Sequence, residues 1–403
     1  MTNISFENTQ VAFASKTNKE LKKAKFVFAS MGKEWLVKFG LKLTPWALKV
    51  GLPVKGLIRE TIFTQFVGGE TLQETSAVAN KLGKYHVQVI LDYGVEGKEG
   101  EENFDEARDV FINAIQYAAT QHNIPFMSVK LTGYARFELL LKLNENAVYT
   151  DIIQGKVPLE KLSESEKKEW QQVVKRLEVI CEAAKNNDIG VLIDAEESWI
   201  QYPVDALAMQ MMQKFNLGKA IVYNTAQLYR IDRLQYIKDS CRFANENNFK
   251  LGMKVVRGAY MEKERSRALD LNYPSPININ KQATDDEFNA AIEFCIDPAN
   301  DVYIVLGSHN EYSNLNATEL MNKYEMPLND QRIHFSQLYG MSDNITFNLA
   351  KAGCLVSKYL PFGPINDVIP YLMRRAQENS SVGGQTGREL SLINAELKRR
   401  LIK

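Results

Sequence analysis

From residue 85 onward the chain alternates short apolar runs with stretches of helical periodicity. The apolar runs are His86–Asp92, Pro125–Lys130, Ile189–Asp194, Ala220–Asn224, Leu251–Arg257, Val302–Leu306, Arg332–Gln337 and Cys354–Tyr359. Strands of this kind separated by helices predict an α/β fold in which a parallel sheet closes into a barrel rather than staying open. Three of the intervening helices end in the same polar way, at His122-Asn123, Asn186-Asn187-Asp188 and Asn247-Asn248. Asn and Asp stop helices and form turns, and the spacing of roughly sixty residues equals about two β/α units.

The first 84 residues show helical periodicity and no strand pattern. Residues 21–30 and 35–41 are amphipathic, with lysines opposite the apolar face. Such a face either packs against the barrel as an arm or touches lipid, and packing is the commoner fate. The chain therefore divides into an N-terminal helical arm, residues 1–84, and a barrel, residues 85–403. The unit after the second strand is too long for a plain β/α repeat and carries a helical insertion over about 137–184. Within it, Ser163 and Glu166 form a capping-box signature ahead of Trp170 and a periodic helix.

Composition changes this picture little. A chain of 403 residues, 45% hydrophobic and 24% charged, can hold one such barrel with extensions. The formal net charge is zero, so nothing points to a nucleic-acid partner. Cys181, Cys241, Cys295 and Cys354 are scattered singly with no histidine at metal-ligand spacing, which argues for a reducing compartment and against a metal. The N-terminus lacks the basic and apolar regions of a secretory signal, and no run of about 18 apolar residues occurs. A cytoplasmic protein is expected, with peripheral contact at the inner face of the cell membrane left open.

In an α/β barrel the chemistry is built at the C-terminal ends of the strands. Those ends carry Asp92 to Glu96, Lys130-Leu131-Thr132, Asp194-Ala195-Glu196-Glu197, Asn224 to Gln227, Lys254 to Tyr260, Ser308-His309-Asn310, Gln337 to Gly340, and Tyr359. One polar strand end means little, but eight converging make a site. A further group follows the last strand. On a helix, Tyr371, Arg374, Arg375 and Glu378 share one face. Two adjacent guanidiniums beside an aromatic ring make an anion clamp, because each planar fork grips a carboxylate through two parallel bonds. Taken alone, such a run is more often a solvated helix face. Lys130, Lys254, Arg257, Arg374 and Arg375 outnumber Asp194 and Glu378, so the site is cationic and suits a small carboxylate, a phosphorylated cofactor, or both. His309 is the one histidine at a strand's C-terminal end and reads first as a satisfied hydrogen-bonding residue. No G-x-G-x-x-G follows a strand, so a dinucleotide would be held by the barrel itself. Gly258 marks a place where backbone could approach a flat ring closely.

These segments resemble the FAD-dependent proline dehydrogenases motif by motif and in order. The matching runs are Ser128–Leu131, Asp194–Glu196, Lys254–Tyr260, Ser308–Asn310 and Tyr359–Asn379, and they span roughly residues 85–395. The resemblance implies a distorted (βα)8 TIM-type barrel with FAD at the strand C-termini. It places Lys130, Arg374 and Arg375 on the carboxylate of L-proline, and Tyr260, Leu338, Tyr359 and Tyr371 around the pyrrolidine ring. Ala195, Gln227, Val256, Arg257, Gly258, Ala259, Ser308, His309 and Glu378 would contact FAD. Asp194 and Lys254 would lie among the charges beneath the reacting atoms, and Glu96 would pair with a clamp arginine when the site is empty. One position departs from the commoner bacterial pattern: Lys254 stands where many members carry Arg, as in animal-type sequences. The charge is kept and the fork is lost.

By that resemblance, hydride passes from proline C5 to the flavin, giving Δ1-pyrroline-5-carboxylate, the first step of proline catabolism, and a quinone receives the electrons. Two neighbouring readings stay open. A hydroxyproline dehydrogenase of the same family would differ at Tyr359, expected to close the last strand beside C4 of the substrate. A Schiff-base barrel aldolase would use Lys130 or Lys254, but Phe362-Gly363-Pro364 is a poor phosphate loop because proline lacks the N–H donor that is wanted there.

Overall fold

A computed structural model describes residues 4–49, 54–93, 99–381 and 385–401. Eight parallel strands close into a barrel in sequence order. They are β1 Gln88–Tyr93, β2 Phe126–Val129, β3 Gly190–Ile193, β4 Val222–Gln227, β5 Leu251–Val256, β6 Val302–Gly307, β7 Ile333–Leu338 and β8 Val356–Phe362. Every apolar run became a strand, because each is bounded by turn-forming residues and buried along its length. Asp188 and Asn248 sit at φ 57° and 56°, the left-handed turn that the Asn-rich helix ends predict.

Two strand ends differ from expectation. β4 continues past Asn224 to Gln227, in register with Met253–Val256 of β5. Its polar residues look like a strand end but are buried and satisfied: Thr225 Oγ1 donates to the Ile193 carbonyl at 2.7 Å. β8 continues past Tyr359 to Phe362, pairing through Leu360–Phe362 with Leu91–Tyr93. Tyr359 therefore sits inside the last strand and does not close it. Pro361 ends the apolar pattern early to the eye, yet its carbonyl still accepts from Gly68 N at 2.8 Å.

The chain forms two compact units, Met1–Val95 with Ser336–Lys403, and Glu96–Phe335. In the second unit, aromatic rings fill space left by glycines near the strand N-termini. A Cβ on Gly190 would lie 2.3 Å from the Phe126 ring, and one on Gly252 would lie 3.0 Å from the Tyr223 ring. The Phe126 ring meets Tyr223 at 5.5 Å and His334 at 4.9 Å. Burial pulls the His334 pKa down to about 3, so this imidazole is neutral packing material. The long segment after β2 forms helices Phe137–Glu145, Tyr149–Ile153 and Glu164–Asn186. The last starts on the expected capping box, with Ser163 Oγ accepting from Glu166 N and the Glu166 carboxylate accepting from Ser163 N. The first two pack on the helix Ser198–Phe215, where Asn144 Oδ1 accepts from Tyr202 N at 2.9 Å.

In the first unit the helix Asn18–Met31 buries Leu21, Ala24, Val27, Phe28 and Met31 in one apolar cluster. The same cluster holds Ile365, Val368 and Leu372 of the helix Ile365–Ser381, and Leu392 and Ile393 of the C-terminal helix. So the first amphipathic segment is packed in protein. Beneath it lies a buried charge network. Lys358 of β8 is fully buried and reaches Asp343 Oδ1 at 2.9 Å, while Lys16 reaches Asp343 Oδ2 at 3.4 Å. Glu389 accepts from Ser342 N at 2.5 Å, and burial raises its pKa to about 7. Replacing Asp343 by Ala leaves two lysines without their shared anion and should cost about 3–5 kcal/mol of stability. Chemical denaturation measures this, and a loss under about 1 kcal/mol would show that the remaining groups compensate.

Candidate functional site

In the unit Glu96–Phe335 the strand ends bring several of the expected residues together. Lys254 of β5 places Nζ 2.6 Å from Asp194 Oδ1, just past β3, with both side chains buried. The pair is possible because β4 lies between the two strands and offers the small Thr225 in register with Lys254. A desolvated lysine needs such a counter-ion. Gln227 links two neighbouring segments: Nε2 donates to the Glu196 carbonyl at 2.7 Å, and Oε1 accepts from Ala259 N at 3.2 Å.

Arg257 follows β5 and is held on every side. Nε donates to Asp285 at 2.7 Å, Nη1 to Ser308 Oγ and Nη2 to Ser313 Oγ, each at 2.9 Å. Its guanidinium also lies 4.2 Å from the Phe288 ring centroid. Burial pulls its pKa down while Asp285 opposes the shift. Ser308 Oγ also accepts from Asn310 N at 3.1 Å, and His309 beside it is half-buried. Gly258 has φ 129°, and a Cβ there would lie 2.3 Å from the Tyr229 ring. Backbone at Gly258 and Ala259 is consequently exposed while pinned from behind. Val256 ends β5 half-buried, Ala195 and Lys130 are half-buried beside β3 and β2, and Tyr260 precedes the helix Met261–Asp270 with Lys263 Nζ 5.6 Å from its ring centroid.

In the other unit, Tyr371, Arg374, Arg375 and Glu378 lie on the helix Ile365–Ser381 as expected. Arg375 is buried; Nη2 donates to Glu378 Oε1 at 2.6 Å and its guanidinium carbon lies 5.3 Å from the Tyr371 ring centroid. Burial raises the Glu378 pKa, opposed by Arg375 and then Arg374. Burial also pushes the Tyr371 phenol up to about 12. Among the described residues, Tyr371 Oη and Arg375 Nε are buried with no hydrogen-bond partner. Leaving a buried donor of that kind unsatisfied costs about 1–3 kcal/mol. Tyr359 is buried in β8, where its carbonyl accepts from Tyr339 N at 2.8 Å. Leu338 ends β7 and packs on the apolar cluster of this unit. Glu96 lies outside the described residues.

Sequence reading missed the supports of these groups. Asp285, Phe288 and Ser313 fix Arg257 from helices far along the chain, with no local signal. Glu196 stood inside a noted motif without a role; it is buried and takes bonds from Thr132 Oγ1 and Thr132 N.

The fold is that of an α/β-barrel enzyme. A model of the proline dehydrogenase family matches residues 75–388. "Proline dehydrogenase 1, mitochondrial" of Dictyostelium discoideum is 33% identical, across 88% of this chain and 68% of its own. "Hydroxyproline dehydrogenase" of Xenopus laevis is 30% identical, across 90% of this chain and 80% of its own. Among solved structures, proline utilization A from Bdellovibrio bacteriovorus aligns with a TM-score of 0.68 over 92% of this chain at 20% identity, and the chain spans 38% of that larger protein. The chain belongs to the proline dehydrogenase family and is an oxidoreductase of that kind.

Because Gly258 is both left-handed and crowded by Tyr229, Gly258→Ala should displace this loop and destabilise the protein by about 1–3 kcal/mol. Thermal unfolding together with hydrogen exchange at residues 256–260 would reveal it. Unchanged exchange there would mean the ring yields easily.

Proposed function

We propose that the protein oxidises L-proline to Δ1-pyrroline-5-carboxylate using bound FAD and passes the electrons to a quinone. One observation carries the substrate half of this reading. Arg375 and Tyr371 form a buried pair whose Nε donor and hydroxyl have no partner among the described residues, an arrangement that a carboxylate fits. Arg374 and Lys130 would complete the carboxylate contacts, and Tyr260, Leu338, Tyr359 and Tyr371 would enclose the ring. Holding one end of a small rigid substrate sets the position of the other, so this is catalysis by positioning.

The cofactor half rests on the strand ends of the other unit. Exposed backbone at Gly258 and Ala259 lets a flat ring approach, and Arg257 supplies a fixed cation beside Ser308, so the residues present fit a flavin dinucleotide. Ala195, Gln227, Val256, His309 and Glu378 would complete its contacts. When bound, FAD supplies the two-electron acceptor for the C–H bond at proline C5. Lys254, steadied by Asp194, would place positive charge where negative charge develops, and Arg257 would do the same. Glu96 would hold a clamp arginine in the absence of substrate. No side chain among these is suited to take the ring-nitrogen proton, so the neutral amine would be the reactive form.

Substrate choice within the family turns on Tyr359. A bulky ring next to C4 rejects an added hydroxyl by crowding. The decisive preparation is the purified protein itself: it should be yellow and lose its flavin absorbance anaerobically with L-proline, and much less readily with trans-4-hydroxy-L-proline. A colourless preparation, or a preference for hydroxyproline, would overturn the reading. Arg375→Met should keep FAD and raise the proline KM about ten-fold or more, the loss expected of a charge-assisted contact.

A quinone acceptor would require a cytoplasmic protein to meet the inner face of the cell membrane. No helix among the described residues is long and apolar enough to cross one. The helix Glu34–Lys49 instead exposes Trp35, Phe39 and Leu43 on one stripe, with Phe26 also exposed on the preceding helix. Lys22, Lys25, Lys33 and Lys38 are exposed nearby in sequence, complementary to anionic lipid. Vesicles containing about a third anionic lipid should sediment the wild type and release Trp35→Ser/Phe39→Ser, with release also by salt. Equal sedimentation of both proteins would rule this helix out as the contact.

A further inference from the structure

Glu196 lies just past β3 and is 7% exposed. Its Oε2 accepts from Thr132 Oγ1 at 2.8 Å and its Oε1 from Thr132 N at 3.3 Å. Its own backbone is anchored: the N–H donates to Gln201 Oε1 at 3.0 Å, and the carbonyl accepts from Gln227 Nε2 at 2.7 Å. The carboxyl is thus fixed to the β3 side and grips the segment after β2, two residues from Lys130. The charged groups that act on it are Lys130 and the adjacent Glu197. Glu197 is itself paired with Lys263 of the helix Met261–Asp270 at 2.8 Å. None of the roles assigned above uses this carboxyl, and a buried acid beside a substrate-binding lysine is costly to keep without one.

We propose that Glu196 is a positioning residue for the substrate carboxylate: its grip on Thr132 holds the segment that carries Lys130, and its charge competes with the substrate for the Lys130 ammonium. This rests on the assignment of Lys130 to that carboxylate. Burial raises the Glu196 pKa to about 7, opposed first by Lys130 and by the Thr132 bonds. Below that pH the carboxyl is neutral and leaves the lysine's charge to the substrate. Above it, the carboxylate draws on the same charge. Affinity for a carboxylate substrate therefore carries a component that weakens as pH rises, separate from the ionisation of the substrate amine.

Glu196→Gln keeps a carbonyl for Thr132 N and an amide for Thr132 Oγ1, but carries no charge. Proline KM and kcat are measured from pH 6 to 8.5 with an artificial acceptor on the FAD-loaded wild type and on Glu196→Gln, Glu196→Ala and Lys130→Met. The ratio of wild-type KM to Glu196→Gln KM should be close to one at pH 6 and rise several-fold by pH 8.5. Glu196→Ala should raise KM about ten-fold at pH 6 and less at pH 8.5, where loss of the competing charge offsets part of the effect, with little change in kcat, and Glu196→Gln should rescue most of it at low pH. Inhibition by pyrrolidine, which lacks the carboxylate, should be the same in all. A ratio flat across pH, or a normal KM in Glu196→Ala at pH 6, overturns the proposal. If those results come with a raised KM in Lys130→Met, only the role of Glu196 falls. A normal proline KM in Lys130→Met overturns the lysine assignment itself, and this proposal with it.

Discussion

Lys254 and Lys358 both lie on barrel strands with almost no exposure, and an aspartate meets each at hydrogen-bond distance. Removing an ammonium from water costs several kcal/mol, and the mutual attraction of a good pair offsets that cost without exceeding it by much. Such pairs are weak sources of stability but strict constraints on geometry. Asp194 must stand across from Lys254, and Asp343 must reach both Lys358 and Lys16. The same logic governs Asp205, fully buried, which accepts from Arg233 at 2.6 Å, Gln201 at 2.8 Å and Asn224 at 2.9 Å. Buried charge fixes where the strands and helices of each unit stand.

Against this polar framework, the apolar packing serves two ends. Near the strand N-termini of the second unit, Phe126 and Tyr223 fill space that Gly190 and Gly252 leave, and His334 joins them as a neutral ring. That is the region of a barrel where packing serves stability. At the opposite ends of this unit the polar groups are held by their neighbours. Arg257 is locked by Asp285, Ser308 and Ser313, so its charge stands at a fixed point. In the first unit, Tyr371 and Arg375 each keep one buried polar atom without a hydrogen-bond partner among the described residues. Unsatisfied buried groups are rare in native proteins.

Family membership narrows the chemistry more than the fold does, since barrels of this kind serve many reactions. Within the family the two named relatives differ by a hydroxyl on the substrate their names give. Tyr359 lies inside a strand, paired to Tyr339 through the backbone, so its ring is anchored by the sheet itself. A side chain built on a strand is held more stiffly than one built on a loop.

The sequence alone determined the eight strands, the turn positions at Asp188 and Asn248, the capping box at Ser163 and the helical face of Tyr371, Arg375 and Glu378. All of these depend on neighbours within a few residues, through hydrophobic period, capping chemistry or left-handed turn preference. Motif order pointed to the family for the same reason. Only the tertiary structure decided that Asn224 and Thr225 stay inside β4, because the partners satisfying them, Asp205 and the Ile193 carbonyl, come from elsewhere in the chain. It alone showed that Glu196 closes on Thr132 and Asp285 on Arg257, contacts separated by 64 and 28 residues. It also separated two amphipathic helices of similar pattern, burying one face in an apolar cluster and leaving Trp35, Phe39 and Leu43 exposed on the other. A hydrophobic pattern states that a face needs a partner; which partner it finds is set by how distant segments pack.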